Sequence, residues 1–224
     1  MFCHLGSLLD QYKMNVFGRF FNSERLRSEK LSEAALTISS LGYSCKDWNP
    51  VKTISLFDHV IKYPQNNRFT VDLVKYDVLL QIDPERGLMA FAGDFINTVK
   101  QEESVFMDEV TDFFEKIHSV YDFEFGYIDK EGDTNIKLFD FIDLYSIETI
   151  FFLNYYGDKF VQKFGPDLWI NAPGKATVLT GNTIKYYSRE KIKGPSKEEA
   201  MAVIEYFKDF GSPCIYRAKK SEDW

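Results

Sequence analysis

Cysteine and histidine are scarce in this sequence, and they are not spaced as sets of metal ligands. The 224 residues contain three cysteines and three histidines: Cys3, Cys45, Cys214, His4, His59 and His118. None of their spacings matches a zinc motif, and an odd cysteine count argues against a disulfide framework. We therefore expect no metal site, no disulfide and a reducing compartment.

Motifs for phosphate binding and for nucleophilic catalysis are also missing. The sequence lacks GxGxxG, GxxxxGKS/T and GxSxG, which supply the phosphate-binding loops and the nucleophile elbow of large enzyme classes. We therefore predict no catalytic residue and no bound cofactor, and hence a protein that is not an enzyme.

Long apolar runs are absent as well. No stretch approaches the roughly 20 apolar residues of a membrane-spanning helix. Residues 1–14 lack the basic start and the apolar core of a signal peptide, and we expect them to be a loose leader. A single domain is expected at 15–217, followed by a frayed tail at 218–224. These features predict a cytoplasmic protein that does not enter membranes.

Negative charge and aromatic residues are plentiful. The chain carries 34 Asp and Glu against 27 Lys and Arg, for a formal net charge of −7 and a pI near 5.1. An acidic surface repels nucleic-acid phosphates and anionic lipids, and it attracts a basic protein. The 21 Phe and 13 Tyr exclude a disordered chain. The favoured partner is therefore a protein, and neither nucleic acid nor membrane.

The chain is organised around residues 150–174, which are rich in aromatic side chains. Residues 150–156 form an apolar run that predicts a buried strand, and 158–164 have helical apolar spacing. Gly165 and Pro166 should end that helix, because glycine tolerates a left-handed closing residue and proline cannot extend a helix.

Apolar periodicity predicts the other elements. Strands are expected at 15–21, 76–82, 88–95 and 121–128, helices at 24–41, 55–62, 102–120 and after Ser196, and a hairpin at 175–181 and 183–188 around Gly181–Asn182. Adjacent strands joined by tight turns, without repeated βαβ units, favour a single α+β domain with a mostly antiparallel sheet packed with helices.

Four residues are candidates for contact with a protein partner. Asp140 and Asp143 interrupt an apolar segment, where exposed carboxylates would dock a basic surface; a solvated strand edge is the alternative. Tyr155 and Trp169 are aromatic residues of the type that anchors interfaces, and each has a purely structural alternative. Trp48, by contrast, is expected to anchor its own loop by packing.

The segment VFGRFFNSERLRSEKLSEAALTISSLGYSCKDWNP has an aromatic strand with an arginine, a helix and a later tryptophan, here Phe17, Arg19, a helix ending near Leu41, and Trp48. In these features it resembles bacterial immunity proteins of polymorphic-toxin systems, in particular the type grouped as immunity protein 52.

The second similar segment is FLNYYGDKFVQKFGPDLWINAP. It shares an aromatic strand ending in Tyr-Gly, a short helix, a glycine and an Ala-Pro, which map to Leu153, Tyr155, Gly157, Gly165, Ala172 and Pro173. The resemblance spans roughly residues 15–210. It implies a small intracellular protein that binds and blocks a cognate toxin, and it transfers no catalytic residue.

Two other functions are compatible with the sequence. An enzyme would need polar residues that converge on an apolar pocket with perturbed ionisation. A structural, self-assembling protein would use aromatic edge strands. The oligomeric state and the identity of the toxin are not readable from the sequence.

Overall fold

The computed structural model describes residues 16–48, 51–93, 100–130, 147, 149–190, 192, 195–210 and 214–215. The chain divides into two compact units, Met1–Phe123 and Glu124–Trp224. The α+β class and the mostly antiparallel strand pairing predicted from the sequence are confirmed. The predicted limits of the domain, 15 and 217, lie outside the described residues.

The first unit is built from antiparallel strands and four helices among its described residues. Its elements are β1 Val16–Phe21, α1 Glu24–Ser28, α2 Leu31–Ser40, β2 Ser44–Lys46, β3 Thr53–Ser55, α3 Leu56–Lys62, β4 Arg68–Asp72, β5 Asp77–Asp83, β6 Leu88–Gly93 and α4 Lys100–Tyr121. Hydrogen-bonded strands follow the order β1-β6-β5-β4-β2-β3, and every pair is antiparallel.

Helix α4 supplies the largest apolar face of this unit. Residues at helical spacing along it are completely buried: Phe106, Val110, Phe113, Phe114 and Ile117. The Phe114 ring stacks on Phe20 of β1 at 4.5 Å and lies 4.3 Å from Phe91 of β6. Helix α4 therefore covers β1 and β6, as its continuous apolar stripe predicts.

Gly93 at the end of β6 allows this helix to approach. A Cβ atom at position 93 would lie 2.5 Å from the Phe106 ring. Gly93 is therefore a point of close contact, and its cause is the packing of α4.

The second unit has a smaller antiparallel sheet. Its elements are β7 Phe125–Lys130, β8 Thr149–Ile150, β9 Leu153–Tyr156, α5 Asp158–Phe164, α6 Pro166–Ile170, β10 Lys175–Val178, β11 Ile184–Tyr187, α7 Lys197–Phe207 and β12 Cys214–Ile215. Strands β7, β9, β11 and β10 pair in that order, all antiparallel, whereas β8 pairs with β12 in parallel.

Local signals in the second unit gave correct elements. The helix predicted after Ser196 is α7, and it starts with a capping box in which the Ser196 hydroxyl accepts from Glu199 N. Gly181 and Asn182 have positive φ angles of 74° and 59°, and they connect β10 to β11. Helix α5 ends at Gly165, whose φ is 79°.

Two predictions differ from the structure in the first unit. The helix expected at 24–41 is split into α1 and α2; α2 starts after Lys30, whose amide donates to the Glu33 carboxylate at 2.7 Å. The loop expected at 43–52 contains β2 and the approach to β3.

The strand expected at 121–128 begins only at Phe125. Helix α4 instead continues to Tyr121, and Asp122 then turns the chain with a positive φ of 48°. The Phe123 amide donates to His118 Nδ1 at 3.1 Å, so the His118 ring ties the chain after this turn to the last turn of α4.

Candidate partner-binding surface

The four residues predicted to contact a partner fall into two groups. Asp140 and Asp143 lie outside the described residues, so their role stays a prediction. Tyr155 and Trp169 are described, with exposed fractions of 1% and 0%. Both rings belong to the core of the second unit, and either would reach a partner only after this core rearranged.

Trp169 is held on several sides by other rings. It stacks on Tyr156 at 3.8 Å and lies 5.6 Å from Phe207 and 6.3 Å from Phe164. Contacts of this number and geometry are typical of a packing centre. The structural alternative stated for Trp169 therefore describes its observed environment.

Trp48 has the opposite environment in the first unit. It follows β2 in the connection to β3, and 63% of its surface is exposed. Its ring is 6.1 Å from His59 and 6.4 Å from Tyr63, two residues on successive turns at the end of α3. The expected packing role is thus partial, since most of the indole faces solvent. We call the rings of Trp48, His59 and Tyr63 the Trp48 platform.

A buried carboxylate fixes the backbone under this platform. Asp47 is 1% exposed. It accepts hydrogen bonds from Lys62 Nζ at 2.6 Å, Trp48 N at 2.8 Å and the Tyr63 hydroxyl at 3.1 Å. The Asp47 amide donates to Lys52 O at 2.6 Å. Asp47 therefore ties the hairpin that carries Trp48 to the end of α3.

This network shifts the ionisation of both charged groups. The hydrogen bond from Lys62 lowers the pKa of the Asp47 carboxyl, and the same bond raises the pKa of Lys62. Each group stabilises the charged form of the other. The pair consequently stays ionised, and its hydrogen bonds persist, across the neutral pH range.

The His59 ring is the buried member of the platform. It is fully buried and lies 5.0 Å from Tyr63 and 5.4 Å from Phe69. Asn66 Nδ2 is 2.9 Å from His59 Nε2, and the Asn66 side chain also exchanges hydrogen bonds with the backbone of Arg68. Burial lowers the pKa of His59, so the imidazole is neutral at pH 7. Nε2 then accepts from Asn66 in the tautomer that this contact assigns.

A second buried network lies in the other unit, and the sequence analysis missed it. The Asp129 carboxylate accepts from Arg189 Nη2 at 2.8 and 3.0 Å and from Phe152 N at 2.8 Å. Both side chains have no exposed surface. The two residues are 60 positions apart, so no local pattern reveals the pair. Because neither side chain has exposed surface, this pair organises the strands and presents nothing to a partner.

Searches for two other kinds of site cover only the described parts of the chain. Within them, no group of three or more His, Cys, Asp or Glu side chains is placed to hold a metal ion. No helix among the described residues is both long enough and apolar enough to cross a membrane. The Trp48 platform is the candidate surface that the described side chains support best.

Comparisons with known proteins give similarities among solved structures. No protein-family model matches the chain, and no match was found among curated proteins. Among solved structures, the chain is similar to a T6SS protein of Pseudomonas aeruginosa, with 10% sequence identity and a TM-score of 0.46 over 89% of this chain and 73% of that protein. A similarity of this size assigns no function.

Proposed function

We propose that this chain is an immunity protein that binds a cognate bacterial toxin and blocks it by occlusion, with no bond made or broken. The observation that carries the proposal is the exposed Trp48 ring on a rigid support. The resemblance of two sequence segments to polymorphic-toxin immunity proteins names the kind of partner.

The contacts that hold Trp48 in place lower the free-energy cost of binding a partner through this side chain. Binding a flexible side chain costs about 0.5–1.5 kcal/mol of ordering free energy, and a side chain ordered in advance avoids part of that cost. The hydrogen bonds of Asp47 fix the backbone beside Trp48, and His59 and Tyr63 limit the ring on one side. Tryptophan is also the residue type most enriched among interface hot spots.

The net charge of the first unit also favours a basic protein as the partner. The first unit holds 18 of the 34 acidic residues and 13 of the 27 basic ones, and so carries a formal charge of −5. A charge of this sign accelerates encounter with a basic protein and orients it. Trp48 thus lies in the unit that attracts a basic toxin more strongly.

Co-expression tests the proposal. The protein encoded by the neighbouring reading frame is expressed in a bacterial host with and without this chain, and survival is counted. We expect the chain to protect the host, and Trp48→Ala to abolish protection at equal protein level. Val74→Ala is the matched control, because Val74 is an 89% exposed apolar residue at the opposite end of β4 from the His59 and Asn66 contacts.

Two results would contradict the proposal. One is a toxic neighbour that kills equally with and without this chain. The other is full protection by the Trp48→Ala variant together with conversion of a small metabolite by the purified chain, which would favour an enzyme.

A further inference from the structure

We propose that the exposed face of Trp48 is a subsite for an arginine or lysine side chain of a basic protein partner. The proposal rests on the proposed function, since it names the chemistry by which the toxin is recognised. It is carried by the cations and rings of the described residues.

Several aromatic rings of this chain already carry a cation of their own. Lys62 Nζ lies 5.2 Å from the Tyr63 centroid, the Arg25 guanidinium 5.6 Å from Tyr121, and Lys116 Nζ 5.8 Å from Tyr43. A cation over a ring within about 6 Å is attracted by the negative face of the ring, and tryptophan gives the strongest attraction. Among the described residues, no cation lies over Trp48. The best acceptor of a cation is therefore left open.

Lys62, the cation over the Tyr63 ring of the platform, is bound elsewhere. Lys62 donates to Asp47 at 2.6 Å while its ammonium lies over Tyr63, next to the platform. Moving Lys62 onto Trp48 would leave the buried Asp47 carboxylate without its ion-pair partner, which is costly. Among the described residues, the Trp48 face is therefore not occupied by Lys62 and can receive a cation from another molecule.

Helix α3, which carries His59, also carries an exposed carboxylate, Asp58. Asp58 lies one helical turn before Lys62 on the same face of α3, and it has no ion-pair partner among the described residues. Asp47, Asp58 and Asp72 all act on the nearby Cys45 thiol, where burial is the main cause that raises the pKa to about 12 and the three carboxylates add to it. Asp47 and Asp72 already pair with Lys62 and Lys46, so the counter-ion for a guanidinium on Trp48 would be Asp58, in a unit with a formal charge of −5. Arginine fits best, because its planar group stacks on an indole and still pairs with a carboxylate.

Titration with a hexa-arginine peptide tests the subsite without the toxin. The chain has three tryptophans, Trp48, Trp169 and Trp224, whose indole N–H signals are resolved in a nitrogen-15 NMR spectrum. At low salt, we expect the Trp48 signal to shift on addition of hexa-arginine, with no shift of the buried Trp169 signal. Hexa-glutamine is the uncharged control, and 0.5 M salt should suppress the shift.

Two variants separate the aromatic face from apolar bulk. Trp48→Leu keeps an apolar side chain and removes the ring, and we expect it to weaken hexa-arginine binding about two- to fivefold, as expected for an exposed cation–π contact. Trp48→Phe should retain part of the affinity. Val74→Ala should bind as the original chain does.

The outcomes are distinguishable from those of the co-expression test. Equal binding of hexa-arginine by the original chain and by Trp48→Leu, or no shift of the Trp48 signal at low salt, would overturn the subsite. A Trp48 shift in the original chain, together with weaker hexa-arginine binding by Trp48→Leu, would support it even if no toxin were neutralised, in which case only the proposed function would fall.

Discussion

The two described tryptophans lie in opposite environments, one in each unit. Trp169 is fully buried and stacks on Tyr156 at 3.8 Å, whereas Trp48 is 63% exposed and makes only distant ring contacts at 6.1 and 6.4 Å. The second unit uses its rings to build a core. The first unit holds one ring at the surface with a polar network beneath it. Trp169 therefore belongs to the packed core, and Trp48 is the exposed ring on which the proposed recognition of a partner depends.

The largest effect is expected at Trp169. Trp169→Ala should lower the free energy of unfolding by about 4 kcal/mol, because it removes a large buried ring and leaves a cavity. Trp169→Phe is the matched control and should cost far less, since it keeps a stacked ring and removes an indole N–H that has no hydrogen-bond partner among the described residues. Urea unfolding measures both. Equal stability of Trp169→Ala and the original chain would refute the core assignment.

The next effect concerns the buried ion pair of the second unit. Asp129→Asn should cost about 3 kcal/mol, because it leaves the Arg189 guanidinium charged and buried without its counter-ion. Asp112→Asn in the first unit is the control. It breaks an exposed pair with Lys116 and should change stability by less than about 1 kcal/mol. Similar costs for the two substitutions would contradict the contrast between the pairs.

A substitution at Gly93 tests packing in the first unit. Gly93→Ala should cost about 2 kcal/mol, since its methyl group would meet Phe106 at 2.5 Å and overpack the contact between β6 and α4. Adding Phe106→Leu should recover part of the loss, and the double-mutant cycle then measures a coupling between positions 93 and 106. Strictly additive costs would show that the two residues do not meet.

Acid should weaken the first unit before the second. All three histidines lie in residues 1–123. Burial is the main cause that lowers the pKa of His59, which faces Asp47 and Lys62, and of His118, which faces Asp122 and Glu115. Because their folded-state pKa values lie below the ordinary 6.5, the unfolded chain binds more protons, and stability falls as the pH drops below about 6.5.

Hydrogen exchange at pH 7.5 and 5.5 measures this difference unit by unit. We expect amides of the first unit to lose protection at pH 5.5, and the variant His59→Gln to reduce that loss. Uniform loss of protection in both units would contradict the assignment to the histidines.

The smallest effect on stability is expected at Trp48. Trp48→Ala should change the free energy of unfolding by no more than about 0.5 kcal/mol, as do most substitutions of exposed residues. Thermal unfolding of Trp48→Ala and of Trp169→Ala compares the contributions of the two tryptophans to stability directly. A cost near that of Trp169→Ala would show that Trp48 is a packing anchor, as its sequence context first indicated.

Sequence reasoning located elements whose signals are local. The apolar period of α4, the capping box at Ser196 and the Gly181–Asn182 turn each depend on residues within one or a few turns. Such patterns follow from backbone geometry, so they survive in the folded chain.

The environment of the tryptophans could not be predicted in the same way. Both Trp48 and Trp169 lie in aromatic or loop-like segments, and their exposure is set by residues distant in the chain. Asp47 reaches Lys62 across 15 positions, and Asp129 reaches Arg189 across 60. A sequence pattern carries no record of such pairings, which is why the predicted contact residues included a core tryptophan and omitted the exposed one.

The most direct test of the account is the affinity of the purified chain for the protein encoded by the neighbouring reading frame, measured by calorimetry for the original chain, Trp48→Ala and Val74→Ala. Loss of a central hot spot costs at least about 2 kcal/mol, or roughly thirtyfold in Kd. We predict a loss of at least that size for Trp48→Ala and none for Val74→Ala. Equal affinities for all three proteins would contradict the claim that Trp48 is the recognition residue.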